Sequence, residues 1–175
     1  ALGTMADRGN VVSLGTFSKI LAPGLRLGWI QTSDKLMETI NDSGWVNSGG
    51  SINHMASHIV RHAIDSGRQD QHIEFVKDAY RERLLAMDEM LTEHLAGHVR
   101  WTRPDGGYFF WLELDEGKDG AELRSRAGEY NIGFQPGEMF SATGGLNNYI
   151  RISLAHYGPD EIRQGIPNLA ALIKS

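Results

Sequence analysis

Lys19 and Arg26 stand seven residues apart in the segment GTFSKILAPGLRLGW, which runs from Gly15 to Trp29 and is otherwise built of apolar, hydroxyl and turn residues. An amine beside an apolar strand is costly to bury as a cation, and desolvation turns it into a usable nucleophile. Such a lysine forms a Schiff base with an aldehyde. Thr16 and Ser18 add hydroxyls, and Gly24 and Gly28 let backbone approach a ligand closely. Arg26 supplies a planar fork suited to a phosphate dianion. Lysine, hydroxyls and guanidinium together describe a holder for a phosphorylated aldehyde, of which pyridoxal phosphate (PLP) is the common example. The plainer reading is a strand–turn–strand with one snorkelling lysine and one surface arginine, and spacing alone leaves both open. A Walker phosphate loop is excluded, because no glycine directly precedes Lys19 and Ile20 follows it. The penicillin-binding Ser-x-x-Lys pattern fails too, since position 16 is threonine and no KTG follows.

A second cation belongs to a later strand. From Tyr149 to Leu154, Ile150, Ile152 and Leu154 alternate with Tyr149, Arg151 and Ser153. The apolar set is expected to pack on helices. Arg151 then either faces an opening, where a bidentate carboxylate contact is possible, or lies on a half-exposed surface. His54, His58 and His62 share one face of an expected helix, and two imidazoles at that spacing could hold a metal. No carboxylate stands as in His-Glu-x-x-His and no loop offers a third ligand. No metal site is therefore assigned, and the series reads as a polar helix face at a domain or subunit contact.

Composition narrows the classes. The 175 residues are 41% hydrophobic and 22% charged, enough for one good core or two small ones. With 17 basic and 22 acidic residues the net charge is -5, which argues against nucleic acid as the main partner. Without cysteine there is no disulfide, thiolate catalysis or Cys-type metal centre. No apolar run approaches the ~20 residues of a membrane span. The first ten residues lack the pattern of a signal peptide, so a cytoplasmic setting is the default expectation.

The elements that would position these groups follow from periodicity. A short buried strand is expected over 11–16 and a second over 27–31, with the Ala22-Pro23-Gly24 turn between them. Ser33 is expected to cap a helix over 34–41, a loop to occupy 47–51, and a helix to run over 52–64. Ile73, Val76, Tyr80, Leu84, Met87, Leu91 and Leu95 form one stripe on a long helix ended by Gly97. Beyond it come strands over 99–102, 108–114 and 149–154, a helix over 121–130, a turn at Pro136-Gly137 and a closing helix over 159–173.

The run from Val12 to Trp29, VSLGTFSKILAPGLRLGW, strongly resembles the lysine segment of the class I/II, fold-type I PLP-dependent aminotransferases. Within them it looks most like the branch of 2-aminoadipate transaminases and the aminotransferase-like domains of MocR regulators. Pro104-Asp105-Gly106-Gly107-Tyr108-Phe109-Phe110-Trp111, Pro136-Gly137-Glu138-Met139-Phe140 and Asn148-Tyr149-Ile150-Arg151-Ile152-Ser153 resemble three later motifs, in order. The resemblance implies that Lys19 carries PLP and moves a proton, that Thr16, Ser18 and Arg26 hold its phosphate, and that Arg151 pairs with the substrate α-carboxylate. It implies an α/β chain: the end of the large-domain sheet over 1–72, then a small α/β domain over 73–175. L-Amino acids and 2-oxo acids are the expected substrates, and a homodimer the expected assembly. Trp29, Tyr108, Phe109, Phe140 and Tyr157 are candidates to line the substrate pocket. The family's pyridine-nitrogen acid, ring-stacking aromatic and glycine-rich phosphate loop have no candidate ahead of Lys19. The chain is thus expected to be a C-terminal portion, inactive alone. The alternative is a ligand-sensing domain of a MocR-type regulator.

Overall fold

The computed structural model describes residues 2–48 and 53–175 and divides into two compact units, Ala1–Val76 and Lys77–Ser175. The division falls inside the long helix. The expected 47–51 loop and the start of the following helix lie partly outside the described residues.

The N-terminal unit opens with a 3-10 turn, Leu2–Met5, and is built on a hairpin of β1 (Ser13–Thr16) and β2 (Gly28–Gln31). The strands pair antiparallel, Ser13 opposite Gln31 and Thr16 opposite Gly28. Glycines permit their close approach: a Cβ on Gly28 would stand 2.6 Å from the Gly15 carbonyl oxygen, and one on Gly15 would strike the Trp29 indole. Helices α1 (Asp34–Asn41), α2 (Gly44–Asn47) and α3 (His54–Asp65) follow, then the start of α4 (Arg68–Leu95). The expectation of a buried first strand is corrected. Leu14 is 75% exposed and every residue of β2 is exposed, because among the described residues this two-stranded sheet has no third strand. Ser33 also does not cap α1: its hydroxyl donates to the Gly9 carbonyl, 3.0 Å away. The short α2 carries no periodic pattern and was not expected.

The C-terminal unit holds the main core. Its sheet runs β3 (Val99–Arg100), β4 (Phe109–Leu114), β6 (Tyr149–Ser153), β5 (Gln135–Pro136), antiparallel throughout. Alternation sends Phe110, Leu112 and Leu114 of β4 and Ile150 and Ile152 of β6 to one face. There they meet Met87, Leu91 and Leu95 of α4, Leu123 of α5 (Gly120–Arg126), and Ile162, Ile166, Leu169 and Leu172 of α6 (Pro159–Lys174). Tyr80 and Leu84 of the stripe pack against that core half-buried. The long helix stops where Gly97 takes φ +83°. Asp119 caps α5 through Oδ1, accepting from the Ala121 and Glu122 amides at 2.7 and 3.1 Å. Two elements change in kind, and β3 stops at Arg100 where a strand to residue 102 is expected. The 121–130 helix is α-helical to Arg126 and 3-10 over Ala127–Tyr130, and the Pro136 turn is a short edge strand running into a 3-10 turn, Gly137–Phe140. Proline is tolerated in such an edge position because it needs no ladder donor. Among the described residues no helix is long and apolar enough to cross a membrane.

Candidate active site

β1 delivers the lysine loop. Thr16 ends the strand, and its Oγ1 accepts from the Ser18 amide at 3.1 Å and lies 3.0 Å from Ser18 Oγ. This hydroxyl pair turns the chain sharply. Lys19 stands exposed in the turn that follows, closed by Leu21 and Ala22 amides donating to the Phe17 carbonyl at 2.9 and 3.1 Å. That exposure follows from the exposed hairpin that carries it. Arg26 sits at φ +50°, a left-handed conformation that a side chain rarely adopts. Its Nη1 donates to the Pro23 carbonyl at 3.0 Å, so the guanidinium is folded over the 3-10 turn Pro23–Leu25.

Two amides fasten this loop, and sequence reasoning missed both. Gln69, buried at the start of α4, donates through Nε2 to the Ile20 carbonyl at 2.7 Å. Asn53, ahead of α3, donates through Nδ2 to the carbonyls of Leu25 at 2.7 Å and Arg26 at 3.2 Å. The loop between Lys19 and Arg26 is thus held at both ends by side chains from distant sequence. No local signal marks them, since a helix-start Gln and Asn are ordinary polar residues.

The C-terminal unit presents Arg151 by itself. Opposite Trp111 on β4 and Gln135 on β5, Arg151 lies on the face away from the core, half-buried. Its guanidinium carbon is 3.9 Å from the centre of the Phe109 ring and 4.1 Å from that of Phe140. Trp111 meets Phe140 edge-on at 5.6 Å and stacks on Tyr149 at 5.5 Å. Among the described residues the guanidinium makes no hydrogen bond or ion pair. Rings against it leave its in-plane edge of N–H donors for a ligand, the geometry a carboxylate matches. Nearby, Arg100 grips Glu113 through two contacts of 2.7 and 3.2 Å. That hydrogen bond, helped by the Arg100 charge and a Tyr149 hydrogen bond, holds the Glu113 carboxyl below its usual range. Burial and the neighbouring Glu113 push the Tyr149 phenol up. Burial also raises Tyr108, whose ring meets Tyr80 edge-on at 5.0 Å. Of the other expected pocket residues, Trp29 packs on Phe17 in the N-terminal unit, and Tyr157 lies beside His156, 55% exposed.

The family described as aminotransferase class I and II matches residues 1–169. The chain belongs to that family. It is 33% identical over 165 residues to the 2-aminoadipate transaminase of Thermus thermophilus, covering 94% of this chain and 41% of the relative. It is 29% identical over 171 residues to an uncharacterised HTH-type transcriptional regulator of Bacillus subtilis, covering 98% of this chain and 35% of that one. Among solved structures, the multiple substrate aminotransferase of Thermococcus profundus superposes with a TM-score of 0.85 at 34% identity, covering 96% of this chain and 41% of that one. The chain thus spans about two fifths of the length of such relatives, and its α/β architecture is that of the C-terminal part of fold-type I aminotransferases. Its lysine loop fits the family's cofactor by donor chemistry: two hydroxyls, an amine and a guanidinium lie between residues 16 and 26, all suited to a phosphorylated aldehyde.

Proposed function

We propose that this chain supplies the lysine loop and the carboxylate-binding arginine of a PLP-dependent aminotransferase, which moves an amino group from an L-amino acid to a 2-oxo acid. The observation that carries the reading is the Thr16–Ser18 hydroxyl pair directly ahead of Lys19 in a chain of this family. Thr16, Ser18 and Arg26 would hold the phosphate, and Lys19 Nζ would hold the aldehyde carbon until the substrate's amine displaces it. PLP, when bound, supplies an electron sink that acidifies the substrate α-carbon. Displaced by the substrate's amine, Lys19 Nζ would be a free base that carries a proton between the substrate α-carbon and the cofactor's C4′. Arg151, between Phe109 and Phe140, pairs with the substrate α-carboxylate and orients the α-carbon.

Turnover is proposed to need more than these 175 residues, since Lys19 is exposed and the relatives are more than twice as long. Association as a homodimer belongs to the same proposal, supported by exposed Leu14, Ile30 and Trp45 in the N-terminal unit. Borohydride treatment in the presence of PLP, followed by peptide mapping, tests the lysine assignment: label is expected on Lys19. Label on Lys35 or Lys77 instead overturns it. A second reading, a ligand-sensing domain of a transcription regulator, is favoured by the likeness to the Bacillus subtilis regulator. Both readings place the same groups on PLP. Amino-acid turnover by a protein containing this chain distinguishes them.

A further inference from the structure

We infer that His54 and His58 form a two-imidazole chelate for a divalent transition-metal ion, separate from the lysine loop. Both lie exposed in the first half of α3, one helical turn apart. Their Nε2 atoms are 3.2 Å apart and their rings meet nearly at right angles, 86°. In the metal-free protein one ring donates to the other.

The separation is the deciding quantity. Two ring nitrogens 3.2 Å apart, each ~2.0–2.1 Å from one ion, subtend roughly 100° at that ion, between the octahedral and tetrahedral angles. The pair is already placed to chelate without moving the backbone. Binding requires the donating ring to shift its proton from Nε2 to Nδ1 and the rings to turn about their side-chain torsions, so that both Nε2 lone pairs converge on the ion. Imidazole donors suit Zn²⁺, Ni²⁺ and Cu²⁺ rather than Mg²⁺ or Ca²⁺. Repulsion from the nearest cation on the helix is blunted, because Arg61 is paired with Asp65 at 3.4 Å. His62 continues the face, and Met55 and Ile59 flank it in the same shallow groove. Among the described residues no group of three or more His, Asp or Glu side chains is placed to hold a metal. The third ligand missed in the sequence is therefore still missing, and water completes the shell. The site is exchangeable rather than structural.

Calorimetric titration of the 175-residue chain with Ni²⁺ tests the assignment. One equivalent is expected to bind, with affinity lost on the order of tenfold or more in His54→Ala and in His58→Ala, and retained in His62→Ala. Electron paramagnetic resonance with one equivalent of Cu²⁺ is expected to show two equatorial imidazole nitrogens. Alanine favours helix and both positions are exposed, and far-UV circular dichroism checks that α3 persists. Undiminished Ni²⁺ affinity in His58→Ala, or a loss in His62→Ala equal to that in His54→Ala, overturns the two-histidine site.

Discussion

Arg151 is held by rings and nothing else among the described residues, so its donors are available to a ligand. In a catalytically competent form of the protein, Arg151→Ala is expected to lower kcat/KM by the equivalent of about 2–4 kcal/mol, with PLP affinity close to wild type. Steady-state kinetics and a PLP fluorescence titration measure the two separately, and an unchanged kcat/KM shows that another cation binds the carboxylate. Arg26 makes the opposite bargain with stability. Its left-handed backbone costs on the order of 1 kcal/mol that glycine would not incur. Arg26→Gly should therefore leave the fold as stable or more so by denaturant titration while weakening PLP binding. At this scale the sequence was informative about residue type: alternation alone set Arg151 on the face opposite Ile150 and Ile152. It was silent on Gln69 and Asn53, because they reach the lysine loop across 49 and 28 positions, and a contact at that range leaves no local pattern.

Strand pairing gives the elements their pH dependence. Glu113 on β4 is held by Arg100 on β3, and its carboxyl lies below its ordinary value of 4.5. A depressed carboxyl stabilises the fold when ionised. The contribution is present above pH 4.5 and is lost as pH falls through the lower folded value. Carbon-detected titration of Glu113 should show its midpoint rise toward 4.5 in Arg100→Gln; an unmoved midpoint removes Arg100 as the cause. The pair lies at the surface, with Arg100 largely solvated and Glu113 half-buried, so the effect on overall stability is small. Elements with a strong period were legible: α4 carries the whole stripe, and α1 and α6 match closely. Those set by pairing were not. β5 is two residues long and exists because β6 offers an edge, which Gln135-Pro136 could not announce. The apolar content of residues 11–16 predicts a buried strand, yet apolar residues report what a strand can bury and not whether anything covers it.

Across the whole chain, burial is unequal. The large core cluster runs from Ala86 to Ile173, entirely within the C-terminal unit, whereas the buried residues described before Val76 are Ala6, Ala56, Val60 and Gln69. Native-state hydrogen exchange should find amides of β4, β6 and α6 protected far beyond those of β1 and β2, because local opening follows buried apolar contact. Equal protection would show that the N-terminal unit draws stability from association. The fold class was legible at this scale because four motifs in order carry the family pattern. The uneven core also bears on how variants of this protein are screened. A melting curve reports mainly the cooperative loss of the C-terminal unit. Selection for heat resistance would reward changes there and pass over damage around Lys19. A library ranked by melting temperature would lose its lysine loop unnoticed, so each round needs a separate readout of Lys19, such as its labelling with PLP.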